Sequence, residues 1–309
     1  MNLEQLRGFV EVADIAHFTR AAERLHLAQP SLSRQISTLE KELGTELFHR
    51  ARGHIALTSA GRILLPRARR MLADAEAIRV EMAELAGLQR GRVQLGATPT
   101  LCVSLVAEAM STFHTAHPAI EMQLTEGGSH LLIEQLSTGA LDMALITVSD
   151  GISDAGAALV RTPLLLEELV VAFAAGSTEI TESTIGLERL AQLPLISFAE
   201  SYDLRSATDA AFRSAGLQPD PVVEGAEMDA VLRFVERGLG VAVVPATVLV
   251  DRPALRSVRL DAPQLTRTIS IAHRSDVTPT RAAVAMREVI LASAADLAAA
   301  SPDTLRLAP

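Results

Sequence analysis

The first sixty residues alternate apolar and polar positions at helical spacing. Leu3, Leu6, Phe9, Val10 and Ala13 mark one stripe, which predicts a first amphipathic helix that must bury that face. Thr19 is placed to N-cap a short second helix carrying Ala21, Ala22 and Leu25, and His26-Leu27-Ala28-Gln29 reads as a tight connection. Pro30 suits the first turn of a third helix. In it Leu32, Ile36, Leu39 and Leu43 follow at steps of four, three and four, and Gly44 suits the stop. Leu47-Phe48 returns to the core, and His49-Arg50-Ala51-Arg52-Gly53-His54 followed by Ile55-Ala56-Leu57 predicts a basic hairpin. From Thr58-Ser59 a long helix begins. Leu64, Ala68, Met71, Ala75, Ile78, Met82 and Leu85 repeat at alternating steps of four and three, the spacing of a coiled-coil seam. The seam can pair with a second copy or pack within its own chain, and Pro66 predicts a local bend in it.

From Gly91 the pattern changes to strands alternating with helices. Strand candidates are Val93 to Ala97, Ile120 to Thr125 and Leu141 to Thr147, with a helix running to His117-Pro118 and another from Ser129 to Thr138. A second series follows at Glu168 to Ala174, Leu195 to Phe198, Val222 to Glu224 and Val241 to Val244. The chain then returns near Ile269 to His273 and ends in a helix from Pro279. This is the signature of an open α/β architecture in two lobes. The expected organisation is a helical head with a hairpin over residues 1–58, a linker helix over 59–90 and an α/β domain over 91–309. Within the last, lobe I covers about 91–161 and 267–309, and lobe II about 162–266.

Charge sharpens this division. The chain carries a net −9, which alone argues against a nucleic-acid partner. Residues 1–70, however, hold 11 Lys and Arg against 7 Asp and Glu, while the remainder holds 17 against 30. A basic head on an acidic body docks on phosphate through one end only. The single cysteine, Cys102, excludes an intramolecular disulfide and a multi-cysteine zinc site. No export signal is readable at Met1-Asn2-Leu3-Glu4-Gln5, and no run approaches the roughly 20 apolar residues of a membrane span. The expectation is a cytoplasmic protein without membrane partners.

Two short helices joined by a tight turn match a helix-turn-helix, whose second helix enters the major groove. On the polar face of the third helix stand Ser31, Ser33, Arg34, Ser37, Thr38 and Lys41. Arg34 can hold guanine O6 and N7 with its planar fork, Gln29 can pair with adenine, and the serines can touch bases or phosphates. Arg50 and Arg52 suit phosphate or a minor groove. Any surface helix has a polar face, so periodicity alone leaves a solvated surface open.

Catalysis finds no support. The chain lacks H-E-x-x-H, a P-loop, a G-x-S-x-G elbow and paired cysteines, and its eight histidines show no metal-ligand spacing. Gly238-Leu239-Gly240 reads as a turn entering a strand. No cofactor and no metal are implied, and Cys102 reads better as a small apolar residue than as a redox sensor.

A denser pattern runs through the head: Leu3 to Phe9, then Phe18-Thr19-Arg20-Ala21-Ala22-Glu23-Arg24-Leu25, Gln29-Pro30-Ser31-Leu32-Ser33-Arg34-Gln35-Ile36, Leu39-Glu40, Leu43-Gly44, Leu47-Phe48, Arg50, and Leu57-Thr58 with Ala60-Gly61. This run resembles the LysR-type transcription regulators over about the first sixty positions. The resemblance implies a winged helix-turn-helix, a dimerising linker helix and a two-lobed effector domain like the periplasmic binding proteins, assembled as a dimer or tetramer on double-stranded DNA. By position, Gln29, Pro30, Ser31, Ser33 and Arg34 resemble the DNA-reading set, with Arg50 and Arg52 at the wing. His17 departs from the serine common at the start of the second helix.

Ligands of open α/β sheets bind beyond the carboxyl ends of the strands. Thr98-Pro99-Thr100, Gly127-Gly128-Ser129 and Thr147 close the first three strands, and Ser201 and Tyr202 occupy the comparable turn of the second lobe. Hydroxyls beside helix N-termini suit a carboxylate or another anion, and Arg205 stands near. The residues equally fit ordinary helix caps. The expected function is a sequence-specific regulator controlled by a small-molecule effector. The alternatives are a small-molecule-binding protein with a non-regulatory head and a ligand-independent architectural DNA binder.

Overall fold

The computed structural model describes residues 1–51, 54–85, 91–148, 159–199, 203–250, 252–261 and 264–308. The chain divides into two compact units, one of residues 1–91 with 134–141, the other of residues 92–133 with 142–309.

In the first unit, α1 (Leu3–Ile15) opens on a reciprocal cap. Asn2 Oδ1 accepts from the Gln5 N–H at 2.9 Å while Gln5 Oε1 accepts from the Asn2 N–H at 2.8 Å. Helix α2 (Phe18–Arg24) is capped by His17, not by Thr19 as expected: the His17 Nδ1 accepts from the Arg20 N–H at 3.4 Å. Phe18 is already helical and packs edge-on to Phe48 at 5.9 Å, which places Thr19 inside the first turn. Helix α3 (Gln29–Leu43) ends at Gly44, whose φ of 69° is the left-handed stop that glycine adopts without strain. Strands β1 (Phe48–Ala51) and β2 (His54–Leu57) pair antiparallel, with Phe48 opposite Leu57.

Helix α4 (Ser59–Leu85) runs unbroken through Pro66. It starts where Thr58 Oγ1 accepts from the Gly61 N–H at 3.0 Å and donates to the Glu46 carbonyl at 2.7 Å. The core of this unit joins Leu6, Phe9 and Val12 of α1 to Leu32, Ile36 and Leu39 of α3, Phe48 of the hairpin and Ala68 of α4. The first part of the expected seam therefore turns inward, with Leu64 packed against that core beside Ala68. Met71, Ile78 and Met82 remain 41%, 59% and 54% exposed, and Leu85 ends the helix.

The second unit begins with a parallel layer. Strands β3 (Arg92–Ala97), β4 (Glu121–Glu126) and β5 (Met143–Val148) lie in the order β4-β3-β5. Between β3 and β4 run α5 (Pro99–Leu101), a π-helical turn over Cys102–Val106 and α6 (Ala107–Ala116). Helix α7 (Ser129–Ser137) follows β4, and its last residues group with the first unit.

Strand β6 (Leu159–Ala174) is longer than its expected Glu168 to Ala174 core and belongs to both lobes. Arg161-Thr162-Pro163 masks its first half in the sequence. Proline is tolerated because the pairing slips there: Ile269 faces Leu165 but Ser270 faces Pro163, leaving Leu164 as the extra residue of a bulge. Both Leu164 and Leu165 thereby enter one core.

Lobe II follows with β7 (Thr184–Ile185), α8 (Leu187–Leu190), β8 (Leu195–Phe198), α9 (Asp203–Ser214), β9 (Pro221–Ala226), α10 (Met228–Glu236), β10 (Ala242–Pro245), a 3-10 turn over Ala246–Leu249, and β11 (Leu255–Leu260). Strands β10 and β11 flank the second half of β6, where Leu169 to Phe173 is continuously buried, as a strand covered on both faces must be. Gly240 enters β10 where a Cβ would lie 2.2 Å from the Pro194 carbonyl oxygen, so the preceding turn is a packing device. Strand β12 (Thr266–Arg274) returns to lobe I between β5 and β6, and α11 (Arg281–Ala300) and β13 (Leu305–Leu307) complete that lobe.

At the middle of β6, Glu167 is fully buried. Its Oε1 accepts from the Thr247 N–H at 2.9 Å and Oγ1 at 2.6 Å, and its Oε2 from Arg267 Nε at 2.7 Å. The adjacent Glu168 takes Arg259 of β11 in a fork of 2.8 and 2.5 Å.

A Cβ on Gly61 would lie 2.3 Å from the Leu47 carbonyl oxygen, a backbone atom that cannot rotate away. Gly61→Ala is expected to destabilise the head by about 1–3 kcal/mol, as overpacking does. Chemical denaturation followed by helical circular dichroism checks this, and an unchanged midpoint would contradict the close approach.

Candidate DNA face and effector site

Helix α3 separates its two faces cleanly. Leu32, Ile36 and Leu39 are buried, and Gly8 of α1 lets α3 approach closely, since a Cβ there would lie 2.8 Å from the Leu32 side chain. On the other face Gln29, Pro30, Ser31 and Arg34 are exposed and Ser33 and Ser37 half-buried. Gln29 Nε2 donates to Ser33 Oγ at 3.0 Å, which holds the amide along the helix.

Several cations of the head and of the start of α4 are already engaged. Arg7 meets Glu4, Arg24 meets Glu11, Arg69 meets Asp14, and Arg62 donates to the Leu57 carbonyl and to Ser59 Oγ. Among the described residues, the side chains of Arg34 and Arg20 make no ion pair, and both are exposed. Arg20 escaped the sequence reading. It sits in the first turn of α2, and Glu23 three residues on does not engage it; only the structure separates it from the paired arginines. Arg50 lies on β1 of the hairpin, whereas Arg52 lies outside the described residues.

At the other site, three strand ends meet. The Thr98 N–H donates to the Leu145 carbonyl at 3.3 Å and the Gly127 N–H to the Ala97 carbonyl at 3.2 Å, which holds the turns after β3 and β4 side by side. Thr98 and Thr100 are 6% and 2% exposed, and neither hydroxyl has a hydrogen-bond partner among the described residues. Buried hydroxyls in folded proteins are nearly always bonded. Ser129 and Thr147 are the contrast. Ser129 Oγ donates to the Thr147 carbonyl at 3.1 Å, lies 3.3 Å from Thr147 Oγ1 and accepts the Thr147 N–H at 3.2 Å. That pair ties α7 to β5. Gly128 faces open space where a Cβ would stand.

In lobe II a recess between β8, α9 and β10 is lined by Ser197, Phe198, Arg205, Thr208 and Val243. Arg205 is engaged on every side, by Asp209 at 2.7 Å, Glu224 at 2.6 Å and the Phe198 carbonyl at 3.1 Å. Its guanidinium is therefore already held by carboxylates of this chain. Ser201 and Tyr202 lie outside the described residues.

Cys102 is half-buried, with Sγ 3.8 Å from the Ala97 carbonyl oxygen. Burial, helped by the Glu126 carboxylate, pushes the thiol up to about 11. Thiolate is the reactive form, so at pH 8 only about one molecule in a thousand carries it. Native protein is expected to react with iodoacetamide at pH 8 about a hundredfold more slowly than unfolded protein. Equal rates would contradict the burial.

Among the described residues no helix is long and apolar enough to cross a membrane. The family model for the bacterial regulatory helix-turn-helix protein, lysR family, matches residues 3–62, and that for the LysR substrate binding domain matches residues 86–295. The chain is 32% identical over 272 residues to the HTH-type transcriptional regulator YybE of Bacillus subtilis, covering 88% of this chain and 92% of that protein. It is 32% identical over 289 residues to the HTH-type transcriptional regulator IlvR of Caulobacter vibrioides, with 91% and 95% covered. Among solved structures, a full-length OxyR variant from Pseudomonas aeruginosa superposes with a TM-score of 0.73 at 28% identity, covering 94% of this chain and 98% of that one. Matched over both its helix-turn-helix and its two-lobed α/β domain, this chain belongs to the LysR family of transcription regulators.

Proposed function

We propose that this regulator reads duplex DNA through Gln29, Pro30, Ser31, Ser33, Arg34 and Ser37, with Arg20, Arg50 and Arg52 on the phosphates, and senses a small effector at Thr98, Thr100 and Gly128. The observation that carries the DNA reading is Arg34, an unpaired guanidinium on the solvent face of a helix whose opposite face is buried. Ser129 and Thr147 shape the effector site by locking each other, and Ser201 and Tyr202, outside the described residues, are proposed as further effector contacts. The head is residues 1–58, the linker 59–90 and the sensing domain 91–309. Exposed Met71, Ile78 and Met82 pair linker helices into a dimer, and dimers into a tetramer. The protein acts in the cytoplasm and catalyses no reaction.

Two orphaned hydroxyls favour a liganded regulator over a ligand-independent DNA binder, since a buried hydroxyl without a partner is costly unless something else completes it. A thiol-based sensor is disfavoured by the raised Cys102 thiol and the absence of a second cysteine.

Arg34→Ala is expected to lower the preference for DNA upstream of the regulator's own gene over a scrambled duplex by roughly 5- to 150-fold, the value of one bidentate base contact, while most of the salt dependence persists. Fluorescence anisotropy across a salt series measures both, and a uniform loss on every sequence would reassign Arg34 to phosphate.

Thr98→Val and Thr100→Val keep shape and remove only the unmade hydroxyls. Each is expected to leave the unliganded protein as stable or more stable, by up to about 1–3 kcal/mol. Ser129→Ala, which breaks a bonded hydroxyl, should lower stability. A thermal melt in which all three fall alike would mean that Thr98 and Thr100 are structural.

A further inference from the structure

We propose that Glu167 is the positioning residue of the effector-binding domain: gripped by Thr247 from lobe II and by Arg267 from the return strand, its carboxylate sets the angle between the lobes. The site stands where β6 leaves the sheet of lobe I for that of lobe II. On one side of it β6 pairs with β12 and β13, on the other with β10 and β11. The carboxylate is completely buried, so its charge is balanced only by the groups that reach it. Those groups come from two further elements, the 3-10 turn Ala246–Leu249 and β12, each with a bond of 2.9 Å or shorter. Rotating lobe II about β6 must stretch the Thr247 bonds, the Arg267 bond, or both.

Charge is not needed here for stability alone. A buried ion pair can be replaced by apolar side chains of similar size without loss, whereas removing one partner strands the other. What the pair adds is direction: three bonds converging on one carboxylate permit few lobe angles, while apolar contacts permit many. Arg267 also keeps a donor in reserve. Its Nη2 is buried and has no partner among the described residues, and a second lobe arrangement can satisfy it.

The same residue is connected to the effector mouth. The turn carrying Thr247 packs against the π-helical turn Cys102–Val106. That turn begins two residues after Thr100, whose carbonyl accepts from Ser104 Oγ at 2.9 Å. π-helical turns are uncommon and concentrate at functional positions. A shift at Thr100 therefore reaches Glu167 through one layer of packed backbone. This route rests on the reading that places the effector at Thr98 and Thr100; the positioning role of Glu167 does not.

The test uses the full-length protein with Cys102→Ser and spin labels at Leu291→Cys on lobe I and Val222→Cys on lobe II, diluted with unlabelled protein. Both label positions are exposed, at 41% and 54%. The unaltered hinge is expected to give one narrow distance distribution. Glu167→Gln sets an amide NH2 against a donor, either Arg267 Nε or the Thr247 N–H depending on which way the amide turns, and should broaden the distribution or split it. The double variant Glu167→Met with Arg267→Met removes both charges, and keeps the test decisive if the single variant fails to fold. It should recover the melting temperature yet retain the broad distribution. A double variant that is both stable and narrow, or a Glu167→Gln distribution as narrow as the original, overturns the positioning role.

Hydrogen exchange tests the route separately. Glu167→Gln should accelerate exchange in Ala246–Leu249 and in Cys102–Val106 together, and acceleration confined to Ala246–Leu249 overturns the route. Neither measurement involves an effector, so failure of the effector site itself is read independently, from the Thr98 and Thr100 variants.

Discussion

Strand β6 belongs to two sheets, and a fully buried carboxylate with three hydrogen bonds stands at its midpoint. At Glu167 the strand is flanked on both edges, by Arg267 of β12 and Leu305 of β13. The Glu167 side chain adds three hydrogen bonds to elements of both lobes, and Glu168 beside it takes Arg259 on β11. The order of the surrounding strands follows from this crossing. β12 must return beside the first half of β6 for Arg267 to reach Glu167, and β11 must lie beside the second half for Arg259 to reach Glu168. The bulge at Leu164 lets Pro163 remain in the strand while keeping both leucines in the core.

The head rests on a different device. Its helices are held by one small apolar core, and its acids are distributed so that several of its arginines are paired internally. The consequence is selective: Arg20, Arg34 and Lys41 are exposed and make no ion pair among the described residues. An excess of positive charge in the sequence thus becomes a directed one in the fold.

The sensing domain makes a comparable selection among hydroxyls. Of four threonines and serines at the carboxyl ends of the first-lobe strands, Ser129 and Thr147 bond one another and tie α7 to β5. Thr98 and Thr100 are equally buried and unbonded among the described residues. Chemically similar groups at neighbouring strand ends are thereby divided into bonded ones and ones without a partner among the described residues.

Periodicity by itself determined the helices of the head, the long α4, and nearly every strand with an apolar run, because each of these buries one face at a fixed repeat. The family was legible from the head for a related reason: a helix-turn-helix constrains consecutive residues, so Pro30, Gly44 and Gly61 carry their meaning locally. What the tertiary structure alone decided depends on partners distant in the chain. The cap of α2 passed from Thr19 to His17 because Phe18 packs on Phe48, and Leu64 turned inward because α4 lies on the head's own core. The first half of β6 was hidden because a bulge in its pairing with β12 excuses its proline. Arg205 looked available until Glu224, 19 residues on, closed over it. Glu167 was unremarkable as one of two adjacent acids, since its partners lie 80 and 100 residues away. A local pattern records which face a residue presents, but the balance of a buried charge or hydroxyl is set by whatever the fold brings against it.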